Sequence, residues 1–317
     1  MKFEMVGTGS AFGESLNSSG YIIVQDTIVI IDCGDKMVSA YEKLLPKLIQ
    51  DNTIRNIKFI ITHTHPDHLL GLPSIIMFLS IFHSNILIEI IAGANHKFIE
   101  EILSISGLKN TNKLFYSSNT THYTSDNNDR FISINLIPNK HKDKCFHLIG
   151  QETYSVLLGA INYTNKEKFK LYFSGDTPTF RLQQDLKSEN LLDDLKYIVT
   201  HNEGLENTQF FHEVAFYDGC EGTHTSYKDI LTVLIKMIHP KLREKLSDKI
   251  FLYHCDFNKV IVDFFDNGNL EALKDVALLN KYTTFMFTSI NKQEDFKTNL
   301  LRFIEELSPI DTPKKDF

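Results

Sequence analysis

The sequence predicts an α/β (α+β) protein in which two mixed β-sheets pack face to face with helices on the outside, an αββα sandwich. Two observations favour this class. Apolar runs of strand length alternate with segments of helical periodicity in both halves of the chain, and several neighbouring runs are joined as hairpins. No internal repeat and no long linker divides the sequence. We therefore expect a single domain over residues 1–317, with a C-terminal strand and helix at about 280–308 packed on it.

The N-terminal third is expected to alternate strands and helices. A strand "FEMVGTG" precedes a hairpin whose two β-branched runs meet at Asp26-Thr27. Helical periodicity follows, and Pro46 is expected to kink or restart that helix. The run "IRNIKFIIT" is continuously apolar, which is typical of a strand buried on both faces. A helix opened by Pro73, the strand "ILIEIIAG" and a helix that stops at Gly107 complete this part.

The rest of the chain is expected to begin with a polar, Asn-rich surface loop between about Ser117 and Arg130. Strands then resume, and two of them form a hairpin joined at "TNKEK". The expected strands are "FISINLIP", "TYSVLLGAINY", "KFKLYFSGDT", "KYIVTH", "KIFLYHCDF" and "TTFMFTS", and the expected helices are "RLQQDLKSENLLDDL", "SYKDILTVLIKMIH" and "DFKTNLLRFIEELS".

Composition narrows the class of protein. The apolar fraction of 42% and the charged fraction of 23% are those of an ordinary globular protein. The N-terminus lacks the apolar core of a signal peptide, and no run approaches the about 18 apolar residues of a membrane span. Four cysteines lie far apart without a C-x-x-C pair, which predicts a reducing, cytoplasmic compartment. A net charge of −7 argues against extended contacts with nucleic acid.

The most informative stretch packs four side chains that are costly to bury directly after the apolar run "IKFIIT". Residues two apart in a strand share a face, so His63 and His65 project together. The turn forced by Pro66 can bring Asp67 and His68 to the same pocket. Imidazole and carboxylate at this density suit a borderline divalent cation such as Zn²⁺, Mn²⁺ or Fe. The pattern therefore predicts a metal site mounted on a rigid strand end.

This H-x-H-x-D-H pattern resembles the hallmark of the metallo-β-lactamase superfamily of binuclear metallohydrolases. The resemblance covers roughly residues 1–290, and "GTGSAF" and "IVIIDCGD" are also similar to the superfamily's opening. It implies the metallo-β-lactamase fold and two divalent metal ions, with Zn²⁺ favoured. It also implies hydrolysis, because a divalent ion lowers the pKa of bound water from 15.7 to roughly 7.

The resemblance implies the remaining ligands as well. The third-histidine motif is matched by His147 or by His141, and the spacing before "ETYSVLL" favours His147. Asp176 in "LYFSGDTP" and His254 in "KIFLYHCDF" match the later motifs, each at the end of a strand. By this resemblance one ion would take His63, His65 and His147, the other would take Asp67, His68 and His254, and Asp176 would bridge both.

A second element resembles that of ribonuclease Z and its phosphodiesterase relatives. Their H-E-A-T-F-like segment is similar to His212 and Glu213 in "HEVAF", although "VA" replaces "AT", and their later histidine is similar to His224 in "GTHTSY". The resemblance implies that His212 donates a proton to the leaving oxygen and that Glu213 orients His212. An alkoxide leaves slowly unless a positioned acid protonates it, so this element favours phosphodiester cleavage over other hydrolyses. We therefore list Asp67, His212, Glu213 and His224 as candidate catalytic residues.

The substrate is expected to be a small phosphodiester. Ribonuclease Z proper carries a tRNA-clamping arm, whereas "ETYSVLLGAINYTNKEKFKLYFSGDT" is a plain hairpin without room for one. By resemblance to the relatives without that arm, we expect a phosphodiesterase acting on a cyclic nucleotide by hydroxide attack, with His212 as general acid. The alternatives are a ribonuclease Z-like nuclease without the arm, a lactonase or thiolester hydrolase, and a non-catalytic metal-binding module.

Other features give weaker expectations. Asn17, Ser18 and Ser19 in "GTGSAFGESLNSSG" are candidates for substrate contacts, since the loop lacks a P-loop or Rossmann signature. Phe180 or Phe210 could stack on a base. RNA is an alternative partner to a small phosphodiester, no membrane partner is expected, and a homodimer is expected only by analogy with the relatives.

Overall fold

A computed structural model gives the fold of the protein. It describes residues 1–11, 16–108, 114–117, 121–124, 130–139, 152–162, 167–177, 208–214, 224–225 and 250–254. Several expected elements lie outside these residues. They are the helix at 181–195, the strand at 196–201, the helix at 226–239 and the C-terminal strand and helix at about 280–308.

The first sheet is mixed and has its six strands in chain order, β1-β2-β3-β4-β5-β6. The first three strands pair antiparallel, and β3 to β6 run parallel to one another. The hairpin between β2 and β3 turns at Gln25 and Asp26, one residue before the position expected. The strands are β1 Glu4–Gly7, β2 Ser19–Val24, β3 Thr27–Ile31, β4 Asn56–Ile60, β5 Leu87–Ile91 and β6 Leu114–Ser117.

The second sheet is also mixed, with the order β12-β11-β10-β9-β8-β7. Strands β7 to β10 pair antiparallel, whereas β10, β11 and β12 run parallel. The strands are β7 Thr121–Thr124, β8 Arg130–Asn139, β9 Thr153–Asn162, β10 Glu167–Phe173, β11 Thr208–Glu213 and β12 Ile250–Tyr253. Two mixed sheets with helices confirm the expected fold class.

Four α-helices are present in the described part of the chain: α1 Val38–Asn52, α2 Pro66–Leu69, α3 Leu72–Phe82 and α4 His96–Ile105. Two short 3₁₀ turns, Asp35–Met37 and Gly93–Asn95, precede α1 and α4. Pro46 does not restart the helix, because α1 continues through it. Burial of Tyr41 and Leu45 on the packed face of α1 offsets the one backbone hydrogen bond that proline removes. None of the helices in this part of the chain is long and apolar enough to cross a membrane.

Two apolar layers hold the molecule together. One lies between the sheets, where side chains such as Val29 and Ile60 of the first sheet meet Val156, Leu171 and Phe211 of the second. The other lies between the first sheet and its helices, where Ile28 and Phe59 pack with Tyr41, Leu79 and Leu103. The first sheet is therefore covered on both faces, which explains its continuously apolar strands.

Three strands were not expected from the sequence, and the first of them, Leu114–Ser117, pairs parallel with β5. Thr121–Thr124 lies in the stretch assigned to a surface loop, yet it pairs antiparallel with β8. Thr208–Glu213 forms β11 between β10 and β12 and is buried throughout. For Thr121–Thr124, strand pairing overrides the local polar and turn-forming composition.

Candidate metal centre

The candidate site lies where strands from both sheets reach their carboxyl ends. Its residues follow β3, β4, β10, β11 and β12, and the backbone N–H of Tyr154 in β9 donates to the carbonyl of Thr62, which joins the two sheets at this edge. Ligands commonly bind outside the carboxyl ends of parallel strands. The position alone therefore marks this edge as a binding site.

The H-x-H-x-D-H residues come together as the sequence predicted. His63 is fully buried just beyond β4, and its Nε2 lies 3.0 Å from Nδ1 of His65. Pro66 then opens the short helix α2, which buries Asp67 and His68. His68 Nε2 lies 3.4 Å from a carboxylate oxygen of Asp67, and the rings of His63 and His68 are 4.1 Å apart.

Asp176 stands between two groups of histidines and faces one with each carboxylate oxygen. Its Oδ2 lies 3.5 Å from Nε2 of His63. Its Oδ1 lies 3.4 Å from Nε2 of His68 and 3.5 Å from Nδ1 of His254. Gly175 delivers it with φ +60°, and a Cβ at that glycine would lie 2.3 Å from the carbonyl oxygen of Tyr154. A bridging carboxylate would be placed in this way.

His254 closes the cluster from the end of β12. It adopts a left-handed backbone with φ +62°, which is uncommon for any residue other than glycine. Its ring stacks on His68 at 5.4 Å and on His224 at 5.3 Å. Three candidate ligand groups result, each with its ligand atoms within 4.8 Å of one another. His63 and His65 share Asp176, His254 joins Asp67 and His68, and Asp176 and His254 also form a group with Glu213 and His224.

The structure does not test the choice of a third histidine ligand. His141 and His147 both lie outside the described residues, so the choice between them stays a prediction.

Asp32 supports the cluster and was not identified from the sequence. Asp32 is fully buried directly after β3. Its carboxylate accepts hydrogen bonds from the backbone N–H and the Oγ1 hydroxyl of Thr62, at 2.7 and 2.8 Å. It also contacts Nδ1 of His68 at 2.7 Å, which fixes the orientation of that ring and directs Nε2 toward Asp176. The available signal was the acid at the end of "IVIID", the same strand-end position that identified Asp176.

The unsatisfied atoms of this cluster test whether metal ions fit it. Among the described residues, the fully buried Nε2 of His68, Nδ1 of His254 and Oδ1 of Asp176 have no hydrogen-bond partner. Buried polar atoms are rarely left so, because an unmade hydrogen bond costs about 1–3 kcal/mol. All three atoms converge on one point between the two groups. Imidazole nitrogens and carboxylate oxygens in this arrangement suit divalent cations, so the residues fit the predicted metal ions.

Metal binding requires a neutral histidine, and the pKa shifts differ among the histidines of the cluster. Burial lowers the pKa of His63, and it lowers the pKa of His254 to about 4, so both are neutral at pH 7 and able to bind metal. Burial opposes a charge on Asp176, but His254, His68 and His63 outweigh it and hold this pKa well below its usual range. Burial likewise disfavours a charged His68, but Asp176, Asp67 and Asp32 raise its pKa. This cluster of carboxylates therefore demands a positive charge.

Glu213 and His224 form a pair beside the cluster. One carboxylate oxygen of Glu213, fully buried at the end of β11, accepts a hydrogen bond from Nδ1 of His224 at 2.8 Å. The other accepts a hydrogen bond from the backbone N–H of Thr177. The same Nδ1 of His224 lies 3.8 Å from Oδ2 of Asp176. A buried carboxylate thus holds an imidazole at the edge of the candidate metal centre.

The expected pairing of Glu213 with His212 differs from this arrangement. Successive side chains in a strand point to opposite faces, so His212 and Glu213 face different sides of β11. The Nδ1–H of His212 donates to the carbonyl of Glu213 at 2.8 Å, and burial lowers the pKa of His212 to about 4. A neutral histidine on the face opposite to Glu213 is poorly suited to the acid role expected of it.

The residues expected to contact the substrate from the N-terminal loop are buried. Asn17, Ser18 and Ser19 bind their own chain: Asn17 Oδ1 accepts from the N–H of Lys36, Ser18 Oγ donates to Gly9 O, and Ser19 Oγ donates to Asp32 O. All three are at most 1% exposed, so this arrangement gives them a structural role instead of the expected substrate contact.

The aromatic residues considered for base stacking are no better placed. Phe210 is 5% exposed and stacks on Tyr172 at 4.8 Å inside the protein. Phe180 lies outside the described residues.

Solved structures share this fold. Unliganded yeast PDE1 matches with a TM-score of 0.52 and 12% identity, covering 80% of this chain and 87% of that one. The metallo-β-lactamase-fold protein YhfI from Bacillus subtilis matches with a TM-score of 0.49 and 12% identity, covering 80% and 85%. The chain shares this fold, and its candidate ligand groups lie at one edge of the two sheets.

Sequence comparison identifies the family to which the chain belongs. The family model described as "Anti-Pycsar protein Apyc1" matches residues 1–263, and the chain belongs to this family. A relative named Anti-Pycsar protein Apyc1 from Bacillus phage BSP38 is 25% identical over 285 residues, which cover 83% of this chain and 91% of the relative. Another of that name, from Bacillus phage 010DV004, is 22% identical over 294 residues, covering 85% and 94%.

Proposed function

We propose that the protein is a metal-dependent phosphodiesterase that hydrolyses a small phosphodiester, and that this substrate is a cyclic nucleotide. One observation carries the proposal: Glu213 holds His224 at 2.8 Å, and Nδ1 of His224 is 3.8 Å from Asp176. A carboxylate-oriented imidazole beside a metal centre is what cleavage of an alkyl phosphodiester needs, because the leaving alkoxide must be protonated.

Two divalent ions would be held by the residues predicted from the sequence. One would bind His63, His65 and the third histidine, the other would bind Asp67, His68 and His254, and Asp176 would contact both. When bound, such ions acidify water and neutralise the charge that gathers on the phosphate oxygens. Zn²⁺ is the proposed ion, with Mn²⁺ or Fe as alternatives of similar ligand preference.

His224 replaces His212 as the proposed general acid. With Nδ1 committed to Glu213, proton transfer to the leaving oxygen would use Nε2. Glu213 stabilises the protonated ring and keeps it oriented. The side chain of His224 is 22% exposed, whereas that of Glu213 is fully buried. The proposed proton donor is thus partly exposed at the edge of the candidate metal centre, where a substrate can reach it.

Asp67 is the proposed acceptor on the attacking side. Burial alone would raise its pKa, but His68 outweighs burial and keeps Asp67 ionised at pH 7. An ionised carboxylate can orient the attacking water and accept its proton. Asp67 and His224 would then act on opposite ends of one displacement.

The second sheet supports a small substrate. Asn162 of β9 pairs with Glu167 of β10, so only four residues join these strands and no clamping arm is inserted there. Few basic residues would be needed for a small substrate, in keeping with the net charge of −7. Membership of the Apyc1 family and the fold shared with yeast PDE1 are both consistent with a cyclic nucleotide.

A substrate panel tests the proposal. Purified protein would be assayed with Zn²⁺ or Mn²⁺, and with chelator as the control. The substrates would be bis(4-nitrophenyl) phosphate, cyclic mono- and dinucleotides, a pre-tRNA and a lactone. We expect metal-dependent turnover of cyclic nucleotides. Turnover of pre-tRNA alone would instead identify a ribonuclease Z-like nuclease, and turnover of the lactone alone would overturn the proposal.

Metal analysis separates an enzyme from a non-catalytic module. We expect up to two divalent ions per chain in the native protein and fewer in Asp67→Ala. A native protein without metal, and without activity after metal is added, would favour the module.

A further inference from the structure

We propose that Thr225 is a positioning residue for the acid, and that its buried hydroxyl ties His224 to the segment that carries Asp176. This inference rests on the proposed function, since it assigns a task to the residue next to the proposed proton donor. Thr225 is fully buried, and its Oγ1 donates to the carbonyl of Thr177 at 2.5 Å, across 48 positions of the chain.

The hydrogen bonds around Thr225 form a closed ring. Thr225 Oγ1 binds the carbonyl of Thr177, and the N–H of Thr177 binds one oxygen of Glu213. The other oxygen of Glu213 accepts from Nδ1 of His224, the residue bonded to Thr225. Both backbone polar groups of Thr177 are thereby hydrogen-bonded. The closed ring of hydrogen bonds contains the proposed acid and the residue that follows Asp176.

This ring restricts a motion that one hydrogen bond cannot restrict. A bond from Glu213 to Nδ1 fixes one atom of the imidazole, yet the ring can still pivot about that atom. Anchoring the adjacent backbone through Thr225 removes the pivot, because the Cα of His224 can no longer move relative to Thr177. Asp176 precedes Thr177, so the distance between acid and bridging carboxylate is set by this same anchor.

A purely structural role makes a different prediction. Losing one buried hydrogen bond destabilises the folded protein and lowers the folded fraction equally for every substrate. Misplacing a proton donor instead slows only reactions that need the proton. A displacement of about 1 Å can cost about 100-fold in rate. The ratio of rates on two substrates, measured on one enzyme sample, separates these possibilities and is insensitive to a partly unfolded sample.

The experiment compares Thr225→Val with Thr225→Ser. Each is assayed with bis(4-nitrophenyl) phosphate, whose leaving group needs no acid, and with whichever cyclic nucleotide the wild type hydrolyses. We expect Thr225→Val to lose about 10- to 100-fold in kcat on the cyclic nucleotide and less than about threefold on the activated diester, with KM unchanged. Thr225→Ser retains the hydroxyl and should restore kcat to within about threefold.

Thr153→Val is the matched control. It also removes a buried threonine hydroxyl, but this Oγ1 has no hydrogen-bond partner among the described residues. We expect it to leave both rates and the metal content at the wild-type level. Equal losses on both substrates in Thr225→Val, no loss on either, or failure of Thr225→Ser to rescue would each overturn the positioning role.

His224→Ala, assayed in parallel, distinguishes this inference from the proposed function. If His224→Ala loses activity selectively on the cyclic nucleotide while Thr225→Val does not, the acid stands and the positioning role falls. If His224→Ala shows no such selectivity, the acid assignment fails and the role of Thr225 fails with it.

Discussion

Glu213 accepts a hydrogen bond from Nδ1 of His224 at 2.8 Å, joining the end of β11 to a residue eleven positions later. Burial raises the pKa of Glu213 to about 7, and the neighbouring His224 opposes that rise. Burial makes the charged form of Glu213 unfavourable, and a cationic neighbour stabilises that charged form. When Glu213 is ionised, its negative charge stabilises a protonated imidazole beside it, which is the state a proton donor requires.

Replacing His224 by asparagine should expose its chemical role. The amide can still donate to Glu213 but has no proton to transfer. We expect kcat on a cyclic nucleotide to fall by about 10² to 10⁴, with little change on bis(4-nitrophenyl) phosphate. Steady-state kinetics with both substrates measure this, and equal losses on the two would remove the acid role.

Replacing Asp32 by asparagine should weaken metal binding without touching a ligand. The amide cannot satisfy both Thr62 and His68 as the carboxylate does. We expect metal affinity to fall about 10- to 100-fold, measured by competition with a chromophoric chelator. Asp35→Asn, at an exposed position nearby, is the matched control and should bind metal normally. Unchanged affinity in Asp32→Asn would refute the supporting role.

Gly175→Ala and Gly107→Ala form an informative pair because both glycines have positive φ. A Cβ at Gly175 would lie 2.3 Å from Tyr154 O, whereas one at Gly107 meets nothing within 4 Å. Gly107→Ala should cost about 1–2 kcal/mol of unfolding free energy and keep its metal. Gly175→Ala should cost more and lose metal, because Asp176 must shift. Urea unfolding and metal analysis test this, and full metal occupancy in Gly175→Ala would contradict it.

His212 should make the protein sensitive to acid. Its pKa is lowered by burial to about 4, against about 6.5 in the unfolded chain, so between these values only the unfolded chain binds the proton. The free energy of unfolding is therefore unaffected by His212 above pH 6.5. It falls as the pH drops toward 4, by about 3 kcal/mol in all.

The comparison for this effect is His212→Asn, whose amide can still donate to the carbonyl of Glu213. Unfolding free energies of both proteins, measured from pH 7 to pH 5 in the same chelator-containing buffer, should converge as the pH falls. Parallel curves would mean that His212 is not the group responsible.

The convergence of the candidate metal ligands could be predicted because each lies at or just after the end of an apolar strand. That position is visible in "IKFIIT", "LYF" and "FLY", and the carboxyl ends of neighbouring parallel strands converge. His63, His65, Asp67, His68, Asp176 and His254 do converge in the structure. Asp32 shares the signal and was still missed, since a single strand-end acid is ordinary.

The partners of polar side chains were much harder to predict. The "HE" of β11 suggested that neighbours in sequence act together, but strand alternation separates His212 from Glu213. The pairing with His224 depends on how the chain returns after β11, which local pattern does not encode. The polar composition of "SLNSSG" likewise gave no indication that Asn17 to Ser19 would be buried and satisfied by the chain itself.

Each sheet is formed from one continuous portion of the chain, residues 4–117 for the first and 121–253 for the second. The first portion contributes His63, His65, Asp67 and His68, and the second contributes Asp176 and His254. In the proposed assignment each ion would take ligands from both portions, so we expect uptake of two ions to require the docking of the two halves. During synthesis, we expect a ribosome-bound chain to bind both ions only once the second half has emerged and joined the first.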